Sequence, residues 1–424
     1  MTTLTLPSWF GRTRSAAPAP SRSKLRVGIP RVLNVWSTHQ FWVGLFGALG
    51  VEPRNLVFSE DTSEEQGRQF GKGRGTVDCC YPVKCATGHY GELIFGQREK
   101  LDVLFSPMIY TLPSFLSGHV ARTLTCPRVM AAPENIKAGF LKEREVFADQ
   151  GIRYATPFVS LDEPRLVPKQ LFEGLRDAVP GLTMEETARA VDAAYRALRE
   201  FNDRLRKKSR EVLEWCARED RACLLVLARP YHMDPGIGHE IEVDLQAYGY
   251  PILWAQYFPI DDGLMRWAFG PDLAAGVIRS PFDIRDVWPS SYSSNTNEIL
   301  WGAKAAARVP WVACVVRMSS YECGMDQPTY TPVQQIVERS GTLFFSFQDL
   351  DSTKPAGSVK IRVETITHYL ERYAADIVAR KKATMPPGCP LLSSEGASAA
   401  PSETSPRSDC AGKAGARTTP QTAR

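Results

Sequence analysis

No run of apolar residues in this chain approaches the roughly 18–20 that a bilayer-spanning helix needs, so a helical membrane anchor is not expected. No Lys/Arg cluster stands out, and the net charge is only +4 over 424 residues, which leaves nucleic acid little to hold. The phosphate-loop pattern G-x-x-x-x-G-K-[ST] is missing. Gly71–Gly75 reads GKGRG, with the wrong spacing and no hydroxyl residue, so the chain is not expected to bind a nucleotide or hydrolyse ATP. No C-x₂-C pair occurs, which removes the usual signature of a zinc ribbon. The chain begins MTTLTLPSWFGRTRSAAPAPSRSK, with no apolar h-region after its arginines, unlike a secretory signal. A cytoplasmic location is the expectation.

Cysteine, by contrast, is plentiful: ten in a long chain, which points to metal or redox use in a reducing compartment more than to a disulfide scaffold. At 43% hydrophobic and 23% charged residues, the composition is that of a globular protein able to fill sizeable cores.

Residues 1–23 and the stretch from about 384 to 424 are rich in Ser, Ala, Pro and Thr without apolar periodicity and read as disordered tails. Between them, short apolar runs alternate with helical patterns. LRVGI opens the ordered part, Trp36–Leu49 carries apolar residues at helical spacing, and Asn55–Phe58, Val103–Phe105 and Arg128–Ala131 read as strands around a helix from Tyr81 to Phe95. Residues 167–218 read as helical. A second alternating unit follows: strand Ala222–Ala228, helix Gly236–Ala247, strand Pro251–Trp254, helix Asn297–Ala307, strands Val309–Val316 and Leu343–Ser346, and helix Gly357–Arg380. This rhythm predicts an α/β fold with two Rossmann-like parallel sheets. A first domain would cover 24–165, a helical connecting segment 166–220 and a second domain 221–383.

Six cysteines fall in three separated places: Cys79, Cys80 and Cys85 in DCCYPVKC, Cys126 in TCPRV, and Cys314 and Cys323 in VACVVRMSSYECGMD. Pro82 suits the first turn of a helix, which sets Cys80 near its N-cap, where free N–H groups and the dipole favour a thiolate. Gly324 lets the backbone beside Cys323 approach a bulky group or turn sharply. Thiols arriving from distant loops suit an iron–sulfur cluster more than zinc. Any of them is otherwise a small buried residue, the commoner fate of a free cysteine. Cys314, inside an apolar run, favours the core, as do Cys216 and Cys223, while Cys389 and Cys410 accompany the tail. A polar set, Arg229-Pro230-Tyr231-His232 followed by His239, comes after a strand end, where open α/β sheets place ligands. Arg229 there would hold an anion, and His232 or His239 would move protons. The alternative is that these residues brace a domain interface. Lys84 and His89 share the helix of Cys80 and would line the same cavity.

Taken in order, KLRVGIPRVLN, CYPVKCATGHYGEL, CPRV, RPYHMDPGIGHEI and YECGMD resemble the 2-hydroxyacyl-CoA dehydratase and benzoyl-CoA reductase superfamily. The similarity is greatest to the branch related to CoA-enzyme activase fusions and double-cubane cluster proteins. The resemblance covers roughly residues 24–380. It implies paired α/β domains with a cluster in the cleft between them, and a homodimer or heterodimer. It also implies a separate ATP-hydrolysing iron–sulfur activator that delivers low-potential electrons. Cys80, Cys126 and Cys323 match the three cysteine positions. Three thiolates leave one iron of a [4Fe-4S] cubane open, whereas a double cubane, [8Fe-9S], would need about six, drawn from Cys79, Cys85 and Cys314 of the same chain or supplied by a second subunit. The expected role is an iron–sulfur reductase component acting on a small or CoA-bound substrate. A radical 2-hydroxyacyl-CoA dehydratase subunit and a non-catalytic electron carrier are the alternatives.

Overall fold

The computed structural model describes residues 22–75, 79–142, 144–351 and 356–392. Ten strands build three all-parallel sheets: β1 (Val27–Ile29), β2 (Leu56–Phe58), β3 (Val103–Phe105), β4 (Met108–Thr111), β5 (Arg153–Ala155), β6 (Phe158–Ser160), β7 (Cys223–Leu227), β8 (Ile252–Trp254), β9 (Val312–Ser320) and β10 (Leu343–Leu350). The first sheet has the order β2-β1-β3-β5, the second β10-β9-β7-β8, and β4 pairs with β6 alone. Counted within its own sheet, each four-stranded sheet has the order 2-1-3-4. The order reverses between β1 and β3 in one and between β7 and β9 in the other. Such reversals leave a crevice beyond the carboxyl ends of the strands. The continuous apolar runs are explained by burial on both faces: every residue of β1, β3, β7 and β9 is buried.

Helix Val35–Ala48 buries Phe41, Trp42, Leu45 and Phe46 and packs along helix Met184–Arg218. Gly44 makes that approach close, since a Cβ there would meet the Ala197 Cβ at 2.9 Å. Thr183 caps the long helix by accepting from the Glu186 N–H, while Arg22 holds the Glu186 carboxylate at 2.7 and 2.9 Å. The 35 residues span roughly 50 Å. The early turns (Ala190, Val191, Ala194, Leu198) join the core of the first sheet, and the late turns (Leu213, Cys216, Ala217) join that of the second. One helix thus spans both cores.

Three expectations change. Arg128–Ala131 is not a strand but the first turn of helix Pro127–Leu141. Its buried positions Val129, Ala132, Ile136 and Phe140 show helical spacing only over the longer window, and Pro127 sits where a helix tolerates proline. The helix expected over Gly236–Ala247 breaks in two at His239 and Glu240, both left-handed (φ 56 and 54). The chain after Thr384, read as disordered, stays ordered to Leu392. Leu391 is buried, and the Pro386 and Pro390 carbonyls accept from Trp267 Nε1 (2.9 Å) and Arg210 Nη2 (3.0 Å). The rest of both tails, with Cys410, lies outside the described residues. Among the described residues, no helix is long and apolar enough to cross a membrane.

Candidate functional site

The carboxyl ends of the two sheets meet. Cys80 is the N-cap of helix Tyr81–Gly91, which comes after β2, and Cys126 is the N-cap of helix Pro127–Leu141, which follows β4. Both thiols therefore sit at the positive end of a helix. Cys323 lies in the turn after β9, and Arg229 follows β7, on either side of the strand-order reversal in the second sheet. Backbone contacts clamp these loops together: Tyr81 N–H donates to the Tyr321 carbonyl (3.3 Å), Leu124 N–H to the Tyr292 carbonyl (2.8 Å) and Ser294 N–H to the Leu124 carbonyl (2.9 Å). Arg128 Nη1 reaches the Glu322 carbonyl at 3.3 Å.

The other two cysteines bear on Cys80. Burial, then the neighbouring Cys323 and Cys126 thiols, push the Cys80 thiol up to about 12, against the Val83 N–H and Arg128, which lower it. Burial also raises Cys323, against the pull of Arg229. Tyr231, buried here, is pushed up by burial and then by Cys323 and Cys80. Three cysteines separated by 46 and 197 positions in sequence thus share one buried site. All three are free thiols.

Behind them lies a buried ion cluster. Asp326 takes Arg229 Nη2 at 2.9 Å and Nε at 3.2 Å, stands 3.1 Å from Arg317 Nη2, and accepts from Ser319 Oγ at 2.8 Å. All three charged side chains are at most 2% exposed. Burial alone would raise the Asp326 carboxyl, but the two guanidiniums hold it well below the usual carboxylate range. Two cations against one anion leave a net positive charge beside the thiols. Arg229, expected to hold an anion, is instead committed to Asp326 and to Thr296 Oγ1 (3.1 Å). Its charge still acts on Cys323.

The histidines do not serve as expected either. His232 is fully buried between the Arg229 carbonyl (3.1 Å) and Ser320 Oγ (3.0 Å), and burial lowers it to about 3. It stays neutral at ordinary pH and braces β7 against β9. His89 is also fully buried, bridging Ser59 Oγ (2.8 Å) and Thr62 Oγ1 (2.9 Å), and is likewise lowered to about 3 by burial. Thr62 in turn donates to Asp234 across the interface (3.0 Å). Gly236 is required there, because a Cβ would fall 2.0 Å from the Thr62 carbonyl oxygen. His239 sits half-buried at the break between the two short helices, and Lys84 is exposed.

The remaining cysteines divide. Cys79 is buried next to Cys80. Cys85 lies one turn along, with burial pushing its thiol to about 12 and the Tyr81 hydroxyl hydrogen-bonded to it. Cys314 is apart: it lies mid-strand in β9, in register with Leu224 and Leu343, and burial alone raises it. It belongs to the core of the second sheet.

Asp326 and Arg317 escaped the reading of the sequence as site residues. The signal was present, since arginine inside the buried run VACVVRMSS is expensive unless paired, and Asp326 closes the YECGMD motif. Glu298 was missed as well. Buried on helix Ser294–Arg308 against Ser114 Oγ (2.8 Å), its carboxyl is raised by burial to about 7 despite Arg206 and Asn295. The folded state therefore keeps its proton over a range where the unfolded state has lost it. This contribution to stability falls as pH rises from about 4.5 to about 7 and is flat above. Glu298→Gln is expected to flatten that window and to raise stability at pH 8 by on the order of 3 kcal/mol, checked by denaturant titrations at pH 5 and 8.

Among the described residues, no three His, Cys, Asp or Glu side chains converge tightly enough to hold a single metal ion. The donor set fits an iron–sulfur cluster, which is larger than an ion and takes thiolates. Net positive charge and two helix N-termini face it, and beside Gly324 an added Cβ would meet nothing within 4 Å. No curated protein matches the chain. The model of the CoA enzyme activase uncharacterised domain (DUF2229) matches residues 26–258, a span that holds Cys80, Cys126 and Arg229 and ends before Cys323. That match covers more than half of the 424 residues, and the chain belongs to this CoA enzyme activase domain family.

Proposed function

We propose that the chain is the iron–sulfur component of a reductase, with Cys80, Cys126 and Cys323 as its cluster ligands. The observation that carries this reading is the placement of Cys80 and Cys126, each at a helix N-cap, and of Cys323, in the turn after β9, at one interface where Cys323 and Cys126 both bear on the Cys80 thiol. When bound, a cluster would supply one-electron transfer at low potential. The chain's own groups set its surroundings. The N-termini of helices Tyr81–Gly91 and Pro127–Leu141 face the thiolates with their positive ends. Arg229 and Arg317, only partly offset by Asp326, oppose the accumulated negative charge of thiolates and sulfides. Tyr231, its hydroxyl held protonated, is a hydrogen donor beside Cys323 and Cys80. The buried, neutral His232 adds no charge.

Cys314 in the core argues for one four-iron cluster per chain rather than a double cubane, because it cannot add a thiolate without unpacking β9. Such a site needs an electron source, and in this reading a separate activator protein hydrolyses ATP to supply it. The test is anaerobic. Mixed with an activator of the resembled superfamily and ATP, the iron-loaded chain should lose visible absorbance only while ATP is hydrolysed. Equal bleaching without ATP, or none with it, would refute the partnership.

A further inference from the structure

A cavity of about 230 Å³ lies between the two halves of the molecule, beside the thiol site but using none of its cysteines. Leu112, Pro113 and Phe115 form an apolar wall. Ser294, Gln256 and Arg206 line it too. The Ser294 Oγ, Gln256 Nε2 and Arg206 Nε atoms are all buried and have no hydrogen-bond partner, although Ser294 is 1% and Gln256 8% exposed. A buried donor left unmade costs about 1–3 kcal/mol, so three such donors lining one cavity mark a place built for an acceptor.

The electrostatics select its charge. Ser294 opens the 15-residue helix Ser294–Arg308, whose N-terminus favours negative charge. Arg206 brings a full positive charge, seated 5.6 Å over the Phe115 ring. Among the described residues, Glu298 is the only carboxyl group lining the cavity, and it is protonated over much of the range below pH 7. A cavity of about 150 Å³ takes benzene, so this one takes up to about ten non-hydrogen atoms. A head group that accepts hydrogen bonds, one negative charge and a short apolar body are the properties required.

We propose that this cavity binds a small monocarboxylate, its oxygens accepting from Ser294, Gln256 and Arg206 and its alkyl part resting on Leu112, Pro113 and Phe115. The proposal stands on the cavity and not on the cluster, and one experiment separates the two. The full-length chain is titrated calorimetrically with butanoate, butanamide and decanoate, and iron is measured in the same samples. Butanoate should bind saturably. The neutral amide and the oversized decanoate should bind at least about ten-fold more weakly. Ser294→Ala and Gln256→Met should each weaken butanoate by about five-fold or more without lowering the thermal midpoint, since each removes a group that has no partner. Absence of saturable butanoate binding, equal binding of the amide or of decanoate, or undiminished binding in both folded variants would overturn the site. Butanoate binding to a chain that holds no iron would refute the cluster and leave this site standing. Iron-loaded protein that ignores butanoate would refute this site alone.

Discussion

Asp326→Ala is expected to destabilise the protein by about 3–5 kcal/mol, the usual cost of breaking a buried ion pair from one side. The side chain is fully buried and is the anion that faces both Arg229 and Arg317. Removing it leaves two guanidiniums in a site where neither reaches water, and takes the acceptor from Ser319 Oγ. The remaining contacts cannot compensate. Arg229 keeps Thr296, and Arg317 keeps the Leu227 and Met318 carbonyls, but neither has another anion. Denaturant unfolding followed by tryptophan fluorescence reads the effect, since Trp301 and Trp311 are buried in the same core. Asp326→Asn should cost less than alanine, because the amide oxygen still accepts. A loss under about 0.5 kcal/mol in the alanine variant, the range of ordinary surface substitutions, would mean that the ion cluster does not hold β9 to β7.

The second large effect concerns iron. Cys80→Ala, Cys126→Ala and Cys323→Ala should each strip most of the iron from anaerobically prepared protein, because each removes a thiolate that no neighbour is placed to replace. Cys314→Ala should keep its iron and cost only packing, on the order of 1 kcal/mol. Cys79 and Cys85 provide the sharper comparison. Both lie within a few residues of Cys80, yet a single cluster held by three ligands predicts that alanine at either position leaves the iron content unchanged. Full iron in any variant of the proposed trio would remove that residue from the ligand set, and loss of iron in Cys314→Ala would contradict its place in the core.

Much of the fold was legible because parallel strands buried on both faces leave unbroken apolar runs. CLLVL and VACVV announce β7 and β9 without help from tertiary structure. The long helix was legible from its periodicity. Strands β4, β5 and β6 were not: they are as short as β1 and β3 but, unlike those, are partly exposed, so no unbroken apolar run marks them. The break at His239 and Glu240 was hidden too, since neither residue type advertises a left-handed backbone. It is imposed by packing against the first half of the molecule, where Gly236 meets Thr62. Within the site, the cysteines could be picked out because a thiol set in a loop between elements is unusual. The duties of Arg229 and His232 could not, because whether an arginine meets a ligand or an aspartate about a hundred residues away depends on which loops the two sheets bring together. Only the structure shows Asp326 filling the place an anion would have taken.

The measurement that bears most directly on the central claim is iron and acid-labile sulfide per chain in anaerobically purified protein, with EPR of the reduced form. The account predicts about four of each and a signal from a single reduced cubane, lost together in the Cys80→Ala, Cys126→Ala and Cys323→Ala variants. Protein that is folded, carries all its thiols free and binds neither iron nor sulfide would contradict it.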